Sequence, residues 1–527
     1  MNSCIISGAQ FWLNSPNSSP DSRDEAIEAI LVQNGRLKIA GSLSECTSHD
    51  ALAVVHDLGG GFVMPGFNDN HLHTAVFGRQ LGVLSLRGLN QQQIIEALRS
   101  RFAHAPRGSL IEAVGWDYDC VQHPHAALLD EAFPHNPVIL VQFSGHAAWV
   151  NSLVLRTLKI RQGTPDPPGG IILRDGEGVP TGVVQDAAVE PLHRKSFVQQ
   201  HLRRAVLRRD IHAALEQFAS MGLTSVQDNT WLPQAVWELQ RLRKAGRLTC
   251  RFTCWPHAGF PKVTFAMEHV RYTKDWIELG PRKYFLDGTF STRTAMVSEP
   301  YNNDPGNTGV AVMTREEIAV ALRKAARSRR QAAFHAIGDG AITAFLDVFE
   351  SVAAQYPVLK ELRIRLEHVQ LINRSDIARM KTLGVAAAVQ PHAVSDHGKD
   401  VLLLGRERAL SAYPYRSLLD AGVALSFGSD IPGEATVRPL LGIQQAVCHP
   451  GSQGVTAGEA MQAYTSGSAF AEFKENSKGR LLPGYMADMV HLSDDPRSVP
   501  AERIGRIRVL GTILAGRWVY RYPCTHE

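Results

Sequence analysis

The sequence has no apolar run long enough to cross a membrane. Although 44% of its 527 residues are hydrophobic, no uninterrupted apolar stretch approaches the ~20 residues that a spanning helix needs. The first residues also lack the basic start, apolar core and cleavage site of a secretory signal. We therefore expect a cytoplasmic protein that does not use a membrane as a partner.

Cysteine is scarce and charge is balanced, and each fact excludes a class of protein. The seven cysteines are odd in number and include no Cys-x-x-Cys pair, so we expect reduced thiols rather than a disulfide framework. The 55 Lys and Arg residues nearly match the 51 Asp and Glu residues. Basic clusters such as "HLRRAVLRRD" are short and typical of solvated helix faces. We expect no nucleic-acid partner.

Both ends of the chain are rich in short strands. The N-terminal part contains "QNGR", in which Asn-Gly favours a tight hairpin turn, and the C-terminal part contains "IRVLGTILAGRWVYR". Neither end looks self-sufficient, so we predict that residues 1–61 and 480–527 form one small composite β-sandwich domain.

Between the ends, short apolar strands alternate with helical stretches. The first candidate is "GFVMP", which ends at a Pro-Gly turn signal. The other seven span residues 222–228, 248–255, 283–288, 331–339, 363–371, 384–391 and 423–430. Eight strand–helix alternations predict an α/β fold, a (β/α)8 TIM barrel over residues 62–479. An open doubly wound sheet is the alternative, because periodicity does not show closure.

A long insertion separates the first two predicted strands. About 145 residues lie between them, against about 30 for an ordinary βα unit. The insertion, residues 78–215, has strands of its own and a Pro/Gly-rich run, "TPDPPGGIILRDGEGVPTG". Long loops at the carboxyl ends of barrel strands usually act on the active site. We interpret the insertion as a substrate-shaping subdomain, and an oligomerisation surface is the alternative.

Two His-x-His motifs occur, and their contexts differ. With 21 histidines in the chain, about one such motif is expected by chance. His71 and His73 follow the apolar strand "GFVMP" closely, so an extended chain would turn both rings to one face, where they could share a metal ion. His123 and His125 flank a proline and follow no apolar strand. We predict metal binding for the first pair and none for the second.

Polar side chains recur at the ends of the other predicted strands. In a parallel barrel these ends converge at one mouth, and unpaired polar groups in apolar runs are costly. Besides His71 and His73, the residues concerned are Lys283, Asp287, His335, Asp339, Glu367, His368 and Asp430. A divalent cation would satisfy the four histidines and an aspartate that converge there.

Ordered motifs along nearly the whole chain resemble the amidohydrolase superfamily, and within it the YtcJ-like amidohydrolase family 3, which includes N-substituted formamide deformylases. The matching segments are "PGFNDNHLH", "SGHAAWVNS", "TPDPPGGIILRD", "PTGVVQD", "DGTFSTRTA", "EPYNNDPGNTG", "HAIGDGA", "RLEHVQL", "LLDAGVALSFGSD" and "ADMVHL". The resemblance implies a metal-dependent hydrolase of amide-type C–N bonds in small molecules. One or two Zn²⁺-like ions would activate water.

The resemblance also implies roles for individual residues. The implied metal ligands are His71, His73, Lys283, His335, His368 and Asp430, with Asp430 also the general base and Lys283 carboxylated by CO₂ to bridge two ions. The expected substrate-binding residues are His146, Trp116, Asp287 and Arg293, and either His146 or His335 would stabilise the oxyanion. Ile431 stands where the family commonly has tryptophan, so we expect a different pocket.

Three functions remain open from the sequence. The first is the amide hydrolase, the second is a deaminase of the same superfamily with one metal, and the third is a catalytically inactive binding or scaffold protein. The intact set of candidate ligands argues against the third. A homodimer is a further expectation.

Overall fold

The computed structural model describes residues 3–16, 18–22, 27–193, 204–230, 232–433 and 436–523. No helix among them is long and apolar enough to cross a membrane. The six cysteines in these ranges are free, and Cys524 lies outside them.

Parallel strands form two sheets in the middle of the chain. The first has four strands, in the spatial order Ile277–Leu279, Arg251–Cys254, Leu223–Asp228 and Phe67–Leu72. The second has five, in the order Arg282–Phe285, Ala332–Ala336, Arg365–His368, Ala386–Val389 and Leu425–Phe427. Six of the seven later strands predicted from the sequence contain one of these strands, and the predicted strand 283–288 overlaps Arg282–Phe285. The parallel α/β arrangement is therefore confirmed.

Backbone hydrogen bonds connect the two sheets at both edges. At one edge, the amide of Lys283 donates to the carbonyl oxygen of Pro256 over 3.0 Å. At the other, the amide of Asp430 donates to the carbonyl oxygen of His71 over 2.7 Å. The described strands nevertheless form two ladders rather than one closed ladder, so a closed (β/α)8 barrel stays a prediction.

The prediction that "GFVMP" is the first strand of the parallel sheets is wrong. "GFVMP" does form a strand, Phe62–Pro65, but it pairs antiparallel with Met489–Leu492 near the C-terminus. The chain continues through Gly66 into the strand "FNDNHL", Phe67–Leu72, which joins the parallel sheet. A side chain at Gly66 would collide with Thr224, because a Cβ there would lie 2.2 Å from its methyl group.

The polar strand "FNDNHL" is buried because its side chains find partners. Asn68 donates to Glu472 over 2.7 Å, and Asn70 donates to Ser426 over 2.8 Å. Buried polar groups are tolerated when they are hydrogen-bonded. The apolar run "GFVMP" therefore indicated the wrong segment as the first parallel strand.

Helices follow the parallel strands and cover the sheets. One of the helical stretches expected between the strands, "AITAFLDVFESVAAQ", lies in the helix Asp339–Gln355, with one apolar face buried. The other helices that accompany these strands are Thr74–Gln80, Arg204–Ser220, Pro233–Lys244, Pro261–Glu268, Arg315–Ser328, Arg374–Leu383, His397–Leu404, Arg406–Ser411, Tyr415–Asp420, Pro439–Val447, Ala457–Gln462 and Ser468–Ala471. Short 3₁₀-helices span Pro357–Glu361 and Pro391–Asp396, and a short π-helix spans Ala463–Gly467.

The insertion after the first parallel strand contains its own six-stranded sheet and apolar core. The spatial order is Gly170–Arg174, Pro180–Asp186, Ala147–Val150, Val138–Gln142, Ile111–Trp116 and Leu84–Ser85. The accompanying helices are Gln91–Arg101, Ala126–Ala132, Ser152–Thr157 and Glu190–His193.

Two further sheets contain the ends of the chain. One has the order Arg36–Gly41, Ala29–Gln33, Ser3–Ser7 and Val54–Asp57, with the helix Leu43–His49 beside it. The other has the order Gln10–Phe11, Phe62–Pro65, Met489–Leu492, Val509–Leu514 and Arg517–Arg521, next to the turn Ala501–Arg506. Residues from both sheets share one apolar cluster.

Candidate metal centre

Three side chains that could share one metal ion meet where the first and last parallel strands end. His71 lies in the first strand, His73 is the N-cap of the helix that follows, and Asp430 comes just after the last strand. Oδ1 of Asp430 is 3.6 Å from Nε2 of His71 and 3.2 Å from Nε2 of His73. One potential ligand atom from each residue lies within 4.8 Å of the others. Among the described residues this is the one such group.

A buried carboxylate orients His71. Oε2 of Glu367 lies 2.7 Å from Nδ1 of His71, and Arg365 donates to both oxygens of Glu367, over 2.8 and 3.1 Å. Because a carboxylate only accepts hydrogen bonds, we assign the proton of His71 to Nδ1. Burial, followed by the charge of Lys283, lowers the pKa of His71 well below its usual value. His71 is therefore neutral, with Nε2 left to a metal.

Lys283 reaches the same group of residues. Its Nζ lies 3.2 Å from Nε2 of His71, and its side chain is buried. Burial lowers the pKa of Lys283 to about 8, against the opposing influence of Glu367 and Asp430. Although Lys283 precedes Asp287 by four residues in the chain, its Nζ lies close enough to His71 to act together with the histidines.

His335 and His368 lie side by side next to these residues. Their ring centroids are 4.4 Å apart. Nε2 of His335 lies 2.9 Å from the carbonyl oxygen of Gly288, and Nδ1 of His368 lies 2.7 Å from Oε1 of Gln390. Each acceptor fixes one ring proton and leaves the other nitrogen as a potential ligand. Burial is the largest influence on both histidines and lowers their pKa values well below the usual one.

The donor set fits a divalent metal ion. Three of the candidate histidines have one ring nitrogen hydrogen-bonded to a fixed acceptor, the usual arrangement around metal-binding histidines. Burial acts to raise the pKa of Asp430, but His71, His73 and Lys283 outweigh it and hold that pKa below its usual range. Neutral imidazoles with an ionised carboxylate are the ligand forms that Zn²⁺ and related ions take.

Three of the candidate ligands line a large cavity and form the part of its wall that we call the floor. The cavity has a volume of about 670 Å³ and is lined by His335, His368 and Asp430 together with residues of the insertion and of the loops after the parallel strands. Tyr118, Phe143 and His146 come from the insertion, and Phe290, Arg293 and Tyr413 come from the opposite wall. A cavity with a few converging polar groups is the usual form of a small-molecule site.

The predicted substrate-binding residues occupy different positions. His146 and Arg293 line the cavity. Trp116 is buried in the core of the insertion, where its Nε1 donates to the carbonyl oxygen of Leu140 over 2.8 Å. Asp287 is also buried, and burial raises its pKa to about 7. Its carboxylate accepts hydrogen bonds from three backbone amides, those of Met296, Ile337 and Gly338.

The second His-x-His motif lies at the cavity wall, apart from the candidate ligands. His123 and His125 both line the cavity, and Nδ1 of His125 accepts from the amide of Ala127 at the start of a helix, over 3.2 Å. Neither belongs to the group that could hold a metal among the described residues.

The hydrogen-bond partners of the candidate histidines have no role in the expectations from the sequence. Glu367, Gln390 and Asp186 each accept a hydrogen bond from a candidate histidine. The sequence does indicate a hydrogen-bonding role for Glu367, because a carboxylate inside an apolar strand needs a partner. Gln390 and Asp186 come from distant segments, and nothing in the sequence links them to a particular histidine.

Comparisons with known proteins agree with this architecture. A family model described as "Amidohydrolase family" matches residues 54–520. The YtcJ protein of Bacillus subtilis (strain 168) is 31% identical, over 94% of this chain and 96% of its own length. The N-substituted formamide deformylase of Arthrobacter pascens is 28% identical, over 97% of this chain and 98% of its own. The crystal structure of an uncharacterized metal-dependent hydrolase from Pyrococcus horikoshii superposes with a TM-score of 0.75 at 26% identity, covering 95% of this chain and 99% of that one.

Proposed function

Because the chain belongs to the amidohydrolase family, we propose that it is a metal-dependent hydrolase that cleaves an amide-type C–N bond in a small molecule, such as an N-formyl, N-acyl or cyclic amide. The observation that carries this proposal is the meeting of His71 and His73 with Asp430, which lines the same cavity as His146 and Arg293. The similarity to an N-substituted formamide deformylase supports an amide substrate.

The proposed ligands are His71, His73, His335, His368 and Asp430. Zn²⁺ is the proposed ion, because imidazole nitrogens with a carboxylate oxygen suit it. When bound, such an ion supplies an activated water at neutral pH and a positive charge that polarises a carbonyl group. The fixed acceptors behind three of the histidines hold the free ring nitrogens in place.

Asp430 is the proposed general base. Its carboxylate is ionised and lies at the cavity floor, so it can take a proton from the attacking water and return it to the leaving nitrogen. The backbone hydrogen bond from the amide of Asp430 to His71 holds the carboxylate beside the ligands. A positioned base of this kind usually contributes about 10²–10⁴-fold to the rate.

Lys283 is proposed to be carboxylated and to bridge two ions. A bare ammonium is costly in a buried position, and the lowered pKa of about 8 increases the fraction of free amine that can react with CO₂. The alternative is a deaminase with one ion and an unmodified lysine, and the single three-residue group among the described residues favours a single ion. Counting metal ions per chain and measuring the intact mass in wild type and Lys283→Ala separates the two.

Activity provides the direct test of the proposal. Purified, metal-loaded protein is assayed against N-formyl, N-acyl and cyclic amides and against aminated heterocycles, with chelator-treated protein as the control. We expect hydrolysis to an amine and a carboxylic acid, both on one ring-opened product when the amide is cyclic, with the activity lost on chelation and restored by metal. Release of ammonia from the heterocycles alone would favour the deaminase. Stoichiometric metal without turnover of any compound would favour the inactive binding protein.

The remaining expectations belong to the same proposal. The two parallel sheets are proposed to close as a (β/α)8 barrel, with the insertion shaping the substrate pocket. Asp287 is proposed to act on the substrate indirectly, through the backbone amides that it binds, and Trp116 through the core of the insertion. A cytoplasmic location and a homodimer are proposed on the sequence expectations alone.

A further inference from the structure

His146 and Asp186 come from two neighbouring strands of the insertion and form a hydrogen-bonded pair. His146 precedes strand Ala147–Val150, and Asp186 ends the antiparallel strand Pro180–Asp186. Nδ1 of His146 lies 2.7 Å from Oδ1 of Asp186, and the backbone amide of Asp186 donates to the carbonyl oxygen of His146, also over 2.7 Å. Side chain and backbone together fix the position of the imidazole.

The pair has features that a purely structural contact does not require. Asp186 has φ +49°, a left-handed conformation that few residues other than glycine adopt and that aspartate and asparagine tolerate. Its second carboxylate oxygen, Oδ2, is buried and has no hydrogen-bond partner among the described residues. Gly288 makes room for the carboxylate, because a Cβ at that position would lie 2.8 Å from Oδ1. The fold therefore accepts an unsatisfied oxygen to hold the carboxylate beside His146.

The carboxylate determines which nitrogen of His146 carries the proton. A carboxylate only accepts hydrogen bonds, so Nδ1 of His146 is the protonated nitrogen. In the neutral ring Nε2 then has a free lone pair and can accept a hydrogen bond but cannot donate one. This differs from the oxyanion-stabilising role considered from the sequence, which needs a donor.

His146 stands at one end of a row of rings along the cavity. Its centroid is 5.1 Å from that of His335, which is 4.4 Å from that of His368. Nδ1 of His368 is 4.0 Å from Oδ2 of Asp430. The candidate metal ligands His71 and His73 lie beside Asp430, at the other end of the row.

We propose that Asp186 fixes the tautomer of His146 so that Nε2 accepts a hydrogen bond from the N–H of the substrate, and that the site therefore prefers N-monosubstituted amides over N,N-disubstituted amides. This inference rests on the proposed function. In a trans secondary amide the N–H and C=O groups point in opposite directions. An amide whose oxygen lies at the Asp430 end of the row directs its N–H toward His146. N,N-disubstituted amides have no such hydrogen.

The test uses Asp186→Asn and His146→Ala in the full-length, metal-loaded protein. Asparagine tolerates the left-handed conformation, and its amide can donate to Nδ1, which would move the ring proton to Nε2. Asp130→Asn is the matched control, because Asp130 also lies in the insertion, where it accepts from Ser152 without lining the cavity. Substrates are paired N-benzyl and N-benzyl-N-methyl amides of one acid.

Two readouts are expected to change together. Nitrogen NMR of isotope-labelled histidine, with the His146 signal assigned by its loss in His146→Ala, should show Nδ1 protonated in wild type and Nε2 protonated in Asp186→Asn. For the monosubstituted amide, kcat/KM should fall about 10–100-fold in both variants, mainly through KM, because one hydrogen bond is lost or mismatched. The disubstituted amide should change less than about threefold, as should both amides with Asp130→Asn.

Each contrary result has a distinct meaning. An unprotonated Nδ1 in wild type would overturn the dyad. An equal fall for both amides in Asp186→Asn would overturn the recognition of the substrate N–H. If the predicted tautomer is present but the protein hydrolyses no amide at all, the substrate class is overturned together with the proposed function.

Discussion

The backbone amide of Asp430 donates a 2.7 Å hydrogen bond to the carbonyl oxygen of His71. Asp69 strengthens this connection, because its carboxylate accepts from the amides of both His71 and Ser429, each over 3.0 Å. The loop after the last parallel strand is thereby tied to the first parallel strand. Residues 359 positions apart in the chain are held as neighbours by main-chain bonds that do not depend on a metal.

Removing a candidate histidine should remove metal without unfolding the protein. In His71→Ala, Glu367 keeps its two hydrogen bonds from Arg365, and in His335→Ala the ring is lost from the cavity floor. Metal content and activity should be lost in both variants, while the circular dichroism spectrum stays that of wild type. Full metal occupancy with normal turnover would contradict the ligand assignment.

Glu367→Gln should weaken metal binding even though Glu367 is not a proposed ligand. The amide nitrogen of glutamine donates where the carboxylate accepts, so either His71 or Arg365 loses its acceptor. We expect metal affinity to fall about 10–100-fold, the usual effect of removing a partner of a metal-binding histidine. Competition with a chromogenic chelator measures it.

Asp488→Asn is the control for Glu367→Gln. Asp488 is also buried and paired with an arginine, Arg251, whose Nε lies 2.6 Å from Oδ2. Thermal unfolding should show that both variants lose stability. Only Glu367→Gln should change metal affinity, and an equal change in both would show that the effect is one of general stability.

Removing either histidine of the second His-x-His motif should leave the metal content unchanged. His123→Ala and His125→Ala alter the cavity wall, and His125→Ala also removes a helix cap, which usually costs about 1 kcal/mol of stability. Metal content measured by elemental analysis should equal that of wild type in both. A loss of stoichiometric metal in either would show that strand context is a poor guide to metal-binding histidines.

Apolar runs predicted most of the parallel strands because these strands are buried on both faces. They failed at the first strand, where the buried residues Asn68, Asp69 and Asn70 are polar and form hydrogen bonds with partners far along the chain. The period of hydrophobicity carries no information about such partners. The period of hydrophobicity also does not predict closure of the sheet, because closure depends on which edge strands meet.

The candidate site was predictable where a residue type, a strand end and a family motif coincided. His71, His73 and Asp430 satisfied all three conditions, and their side chains meet in the structure. Glu367 and Asp186 act through other residues, so their roles depend on three-dimensional contacts. Trp116 matched a family segment, yet its ring lies in the core of the insertion, since a segment match does not show where a side chain points.

Asp430→Asn gives the most direct test of the central claim that a metal-dependent hydrolase uses Asp430 as its base. Asparagine keeps the size of the side chain and one oxygen ligand but cannot accept the proton. Metal content and kcat are measured on the same preparation, with the best amide substrate found. We expect metal to remain while kcat falls by about 10²–10⁴-fold. Retained metal together with more than about a tenth of the wild-type kcat would contradict the role of Asp430 as the base.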